Sequence, residues 1–102
     1  MKIMITGANG VVGKELAYQL SKDKKNKIFL LSNSNIKIKK KKFKFIKQDL
    51  TLPLNFRTNI DVIIHCASKN PLSKTGRKME TIYKKNLKIT KNLIKFSNKN
   101  NV

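Results

Sequence analysis

KIMITGANGVVG, residues 2–13, is the stretch on which the reading of the whole chain depends. Its first half, Lys2 to Thr6, runs apolar through Ile3, Met4 and Ile5, as a buried strand does. Its second half places Gly7, Gly10 and Gly13 at a spacing of three, after which Val12, Leu16 and Leu20 recur four apart beside Ala17, with Lys14, Glu15 and Gln19 elsewhere. That pattern predicts an amphipathic helix from Val11 to about Lys22. A strand that turns through glycines into a helix brings bare N–H groups and the positive end of the helix dipole to one point, which suits a phosphate. Gly7 permits the tight turn, Gly10 lets backbone approach a diphosphate closely, and Gly13 lets the helix pack hard against the sheet.

Beyond this unit, Ile28 to Leu31 is a second apolar run, bounded by SKDKKNK before it and SNSN after it, and reads as a second strand. Residues Ile36 to Lys42 are a lysine block. Phe43 and Phe45 then alternate with Lys44 and Lys47 around Ile46, as on an edge strand with one wet face. The second and third strands lie too close in sequence for a full crossover helix, so that helix is expected to be reduced or absent. Leu52 to Ile60 contains Pro53 and has room for a turn or two, after which DVIIHCA, Asp61 to Ala67, gives a fourth buried strand. A breaker-rich loop, KNPLSKTGRK, follows. From Met79 to Ser97 the residues Ile82, Ile89, Leu93 and Phe96 form one stripe, widened by Tyr83, Leu87 and Ile94, which predicts the longest helix. Asn98 to Asn101 is expected to end it, and Val102 to begin a fifth strand. Strands alternating with helices imply one α/β domain over residues 1–102: a Rossmann-type, doubly wound parallel sheet of about four strands, truncated before the fifth.

The spacing Gly-x-x-Gly-x-x-Gly, opening with Thr6-Gly7, resembles the extended short-chain dehydrogenase/reductases, also called NAD-dependent epimerase/dehydratases. QDLT at 48–51, DVIIHCAS at 61–68 and ETIYKKNLKITKNLI at 80–94 come in that family's order. The resemblance implies an NAD or NADP site. Its residues would be Gly7, Asn9, Gly10, Val11, Val12 and Gly13 at the turn, Ser32 at the end of the second strand, Asp49 at the adenine amino group with Leu50 beside the ring, Ala67 and Ser68 where ribose and phosphates pass, and Asn86 on the long helix. The family pattern has a glycine where Ile89 stands, before Thr90. NAD-selective folds place an acidic residue at the end of the second strand, whereas this chain has Ser32, Asn33, Ser34 and Asn35, with Lys37 and Lys39 close by, which favours NADP.

The family's catalysis uses a serine or threonine and a Tyr-x-x-x-Lys pair that would lie further on, so no catalytic residue is assigned. Tyr18 and Lys22 have the right spacing but sit on the first helix, and are read as coincidence. His65, inside an apolar strand, is read as a packed structural histidine, and no metal site is expected. The resemblance covers the front part of a typical member, so the chain is read as a fragment, a truncated frame or half of a split protein. Its substrate, often a nucleotide sugar in the family, would be acted on only in a longer form. In the family the long helix often builds a dimer interface, so Met79 to Ser97 is a candidate homodimer face, while packing of the same stripe on its own sheet is the favoured reading. The alternatives are a non-catalytic dinucleotide sensor and a basic nucleic-acid binder using Lys37 to Lys47.

Composition weighs against the last of these. The formal net charge is +19, but of the 24 basic residues all except Arg57 and Arg77 are lysines, in the company of many Asn and Ile, as A/T-rich codons would give. Base readers lean on Arg and aromatic platforms, and neither is clustered here. The charge still favours anionic ligands. No apolar run approaches the length of a membrane span, no signal-peptide layout opens the chain, and Cys66 has no disulfide partner. A cytoplasmic protein is expected.

Overall fold

The structure is a computed structural model that describes residues 1–35, 42–68 and 79–102. The elements are β1 (Lys2–Thr6), α1 (Val11–Leu20), β2 (Lys27–Ser32), β3 (Phe43–Lys47), β4 (Val62–His65) and α2 (Met79–Asn100). The strands form one sheet in the order β3-β2-β1-β4. All three pairings are parallel: Ile3 lies opposite Ile28 and Val62, and Leu30 lies opposite Phe45.

Alternation along the strands sorts the core into two layers. Ile3 and Ile5 of β1, with Ile28 and Leu30 of β2 and Phe43 of β3, point to the face covered by α1 and pack with Ala8 and Ala17. Met4, Phe29 and Leu31 point the other way, against Ile89, Leu93 and Phe96 of α2 and Leu50, Leu54 and Ile60 of the β3–β4 connection. Because helices cover both faces, β1 and β2 are apolar at successive positions instead of alternating with polar residues. This is a doubly wound arrangement, and it agrees with the partial Rossmann-type α/β sheet expected from the sequence.

Several boundaries differ from expectation. Helix α1 stops at Leu20, where Ser21 folds back to donate its hydroxyl to the Tyr18 carbonyl at 2.8 Å. Tyr18 packs edge-on against Phe43, with centroids 6.3 Å apart, and Lys22 is exposed beyond the helix end. On the edge strand β3, Phe43 is buried while Phe45 is 45% exposed, so the inward face is dry at one end only. Residues 36–41 and 69–78, with Lys37, Lys39 and the expected breaker-rich segment, lie outside the described residues. Residues 52–60 hold no helix; Leu52 donates to the Asp49 carbonyl to make a single turn.

The C-terminal end needs a larger correction. Asn98 to Asn100 continue α2, Asn101 takes a left-handed conformation with φ 53, and the Val102 N–H bonds the Ser97 carbonyl at 3.0 Å. That is the helix-ending geometry in which an αL residue lets the chain double back, and asparagine tolerates it better than most residues. Val102 therefore caps the helix through its own N–H. On the outer side of α2, Met79, Tyr83, Leu87 and Ile94 remain exposed.

Candidate functional site

The glycine turn leaves β1 at its C-terminal end. Gly7 has φ +72, and a Cβ there would lie 2.7 Å from the Ala67 nitrogen and 2.8 Å from the Cys66 carbonyl carbon, so the turn passes against the backbone leaving β4. A Cβ at Gly13 would run into the Gly7 carbonyl oxygen. Its bareness thus lets α1 seat on the turn itself, where the sequence reading had placed it against the sheet. Gly10 differs from both, because among the described residues its Cβ would meet only the Gly7 oxygen, at 3.3 Å. The space a side chain would occupy there is the space of a cleft.

Gly10 is also the N-cap of α1, in an extended conformation with no side-chain cap. Its own N–H donates to the Gly7 carbonyl, and the first helical bond is Lys14 N–H to Gly10 O, both at 3.0 Å. The amides of Val11, Val12 and Gly13 precede that bond and stand at the positive end of the helix. No acidic residue occupies the first turn.

The cleft, about 250 Å³, runs along the C-terminal ends of the strands, between the turn and the exits of β2, β3 and β4. The chain winds from β1 out to β3 and then returns to β4 on the other side of β1, so the cleft sits where the strand order reverses, the usual ligand position in such sheets. Of the residues expected from the sequence, Gly7, Gly10, Ser32, Asp49, Leu50, Ala67 and Ser68 line it. Asn9, Val11, Val12, Gly13 and Asn86 do not. Asn9 instead donates from Nδ2 to Ser32 Oγ (3.3 Å), Ser34 Oγ (2.9 Å) and the Asn35 carbonyl (3.1 Å), tying the turn to the loop after β2. Asp49 Oδ1 accepts from the Thr51 N–H (2.9 Å) and hydroxyl (2.7 Å), so this carboxylate shapes the wall it belongs to.

Leu31, Asn33, Thr51, Cys66 and Ile89 also line the cleft. Most of these adjoin a residue the sequence singled out, and adjacency was the available signal. Ile89 had a different one, since it departs from the family pattern: its buried side chain fills part of the wall where a glycine would leave space. Asn92 gave no signal, yet it is buried and donates from Nδ2 to the Leu50 (2.9 Å) and Leu52 (3.2 Å) carbonyls. It ties α2 to the segment that carries Leu50 into the cleft. Asn92→Ala should cost about 1–3 kcal/mol, the range for stranding buried polar partners, measured by urea unfolding. Asn92→Ser, which keeps a short donor, should recover part of this.

His65 is not packed in the core as expected. It is exposed at the end of β4, with Nδ1 2.7 Å from the buried Thr6 hydroxyl, and burial on that side lowers its pKa below the ordinary value. Among the described residues no group of three or more His, Cys, Asp and Glu side chains could hold a metal, and no helix is long and apolar enough to cross a membrane.

Comparison with known proteins adds identity to this geometry. An "uncharacterized UDP-glucose epimerase YtcB" of Bacillus subtilis (strain 168) is 37% identical over 83 residues, covering 67% of this chain and 26% of its own length. A solved UDP-galactose 4-epimerase superposes over 100% of this chain and 35% of its own, with a TM-score of 0.78 at 16% identity. UDP-glucuronic acid 4-epimerase from Bacillus cereus, in complex with UDP-glucuronic acid and NAD, superposes over 95% of this chain and 36% of its own, with a TM-score of 0.71 at 22% identity. The chain therefore spans about a quarter of the curated relative and about a third of these structures. The sequence profile of the NAD dependent epimerase/dehydratase family matches residues 3–102, and this chain belongs to that family.

Proposed function

We propose that residues 1–102 are the dinucleotide-binding portion of an epimerase, dehydratase or reductase, with a nucleotide sugar as the substrate of the longer protein. The observation that carries this reading is the bare Gly10 at the cleft mouth, beside amides that begin a helix without a side-chain cap. In the proposed pose a diphosphate takes those amides, the adenine lies by Asp49 and Leu50, and the path past Ala67 and Ser68 leads to the nicotinamide. A nicotinamide bound there supplies a hydride donor or acceptor. The residues of this chain bind it, orient it and shield one side of it. Turnover is assigned to residues outside this sequence, so the chain alone should bind a dinucleotide without converting a sugar nucleotide.

NADPH is proposed as the tighter ligand, because Ser32 and Asn33 present hydroxyl and amide groups at the β2 end of the cleft where no carboxylate repels a phosphate, within a chain of net charge +19. Calorimetric titration of the protein with NADH and NADPH tests both statements. Gly10→Val should weaken either ligand by about tenfold or more, the equivalent of losing ~1.4 kcal/mol of diphosphate contact. Its melting temperature should fall by only a few degrees, since φ −78 and ψ 165 suit valine, although valine is a poorer N-cap than glycine and its Cβ would press the Gly7 oxygen at 3.3 Å. Unchanged binding in Gly10→Val would remove the turn as the diphosphate cradle.

A further inference from the structure

Thr6 and His65 meet behind the cleft, and neither lines it. Thr6 is fully buried at the end of β1, and its hydroxyl oxygen lies 3.2 Å from the N–H groups of both Cys66 and Ala67. The Cys66 N–H is shared with the Thr6 carbonyl, also at 3.2 Å. The same peptide is the surface on which Gly7 rests, since a Cβ on Gly7 would lie only 2.7 Å from the Ala67 nitrogen. Gly7, Cys66 and Ala67 all line the cleft. One hydroxyl thus fastens the exit of β4 to the glycine turn.

A hydroxyl has one hydrogen and two acceptor sites. With both acceptor sites engaged by the amides, the hydrogen is left for His65 Nδ1, 2.7 Å away, which must then be the unprotonated ring nitrogen. The form of His65 that fits this arrangement is the neutral ring with its proton on Nε2. We infer that Thr6 and His65 are positioning residues for the diphosphate cradle, and that protonating His65 loosens the 66–67 peptide and weakens dinucleotide binding. This deepens the cofactor reading above and rests on it.

The sign follows from counting donors. A protonated ring turns an Nδ1–H toward a hydroxyl that already receives two, so one of the three bonds must be given up and the hydroxyl hydrogen loses its acceptor. Among the described residues burial is the sole cause that depresses the His65 pKa; β1 presents the neutral Thr6, Cys66 follows in sequence, and Asp61 at the far end of β4 is engaged with the Lys2 amide. The unfolded chain therefore takes up the proton first as pH falls. The contribution of the neutral pair is complete above 6.5 and is lost as pH drops through the lowered folded value.

Two measurements on the protein test this. Nitrogen-15 NMR of the ligand-free protein reads the His65 tautomer; Nε2–H is expected, and Nδ1–H at neutral pH overturns the lock. Titration with NAD⁺, which lacks a phosphate monoester ionising near pH 6, then gives affinity from about pH 8 to 5. Binding should weaken by about three- to tenfold on acidification, the range a single lost hydrogen bond gives. His65→Gln should flatten that profile and Thr6→Ser should retain it, while Thr6→Val should be weak and flat. If Thr6→Val does not fold, the Gln and Ser variants decide. A slope that survives in His65→Gln overturns the coupling. Absence of NAD⁺ binding at every pH overturns the cleft reading and the coupling with it, whereas the tautomer, read without ligand, still judges the Thr6–His65 lock by itself.

Discussion

Gly7→Ala should lower the melting temperature by about 15 °C, measured by circular dichroism. Two costs add. An alanine at φ +72 is strained by about 1–2 kcal/mol, as L-residues are in the left-handed region. Its methyl would also sit 2.7–2.9 Å from the Ala67 nitrogen, the Cys66 carbonyl carbon and the Ala67 Cα, all backbone atoms that yield only if the β4 exit moves, for a further ~1–3 kcal/mol. A total near 3 kcal/mol converts to roughly 12–24 °C in a domain of this size. The wall formed by Cys66 and Ala67 would shift with it, so any surviving fold should also bind dinucleotide poorly. A loss below about 1 kcal/mol would mean that the turn relaxes freely, against the close packing described.

Phe96→Ala is expected to cost about 3–5 kcal/mol in urea unfolding, the usual range for emptying a buried phenyl site. Phe96 is 2% exposed and stacks at a tilt on Phe56, with centroids 4.9 Å apart, inside the layer that also holds Leu50 and Ile89. Truncation would loosen α2 from the β3–β4 connection, and the cleft wall with it. Leu87→Ala, on the same helix but 43% exposed, is the control and should stay within about 0.5 kcal/mol. Equal losses at both sites would mean that α2 does not lie on the sheet by its Ile89–Leu93–Phe96 stripe.

The order of elements was legible because each rests on a local pattern. Ile3 to Ile5 before three spaced glycines, and Ile82, Ile89, Leu93 and Phe96 on one stripe, declare a strand, a turn and a helix without reference to distant residues. Seven of the expected cofactor residues meet at the cleft because they stand at strand ends, which such patterns locate well. What stayed hidden depends on contacts across long stretches of chain. Asn92 finds its carbonyl partners 42 and 40 positions away, and nothing near it in sequence announces them. His65 looked like core because its neighbours Ile63 and Ile64 are apolar, but β4 ends there and its ring turns to a hydroxyl 59 positions earlier. Asn9, expected beside the ligand, spends its amide on the loop after β2. The helix runs past its expected end because Asn98 and Asn100, poor helix formers, are carried into α2 up to the left-handed Asn101.

The central place of β1 in an all-parallel sheet has a consequence for how the protein is made. The ribosome releases this strand before the other three, yet one of its two neighbours, β4, is synthesised some 59 residues later. At ~5–20 residues per second, that leaves Ile3, Met4 and Ile5 waiting about 3–12 s for the second of their flanking strands. An apolar strand that is buried in the finished sheet is thus one that must be shielded for seconds before its second neighbour exists.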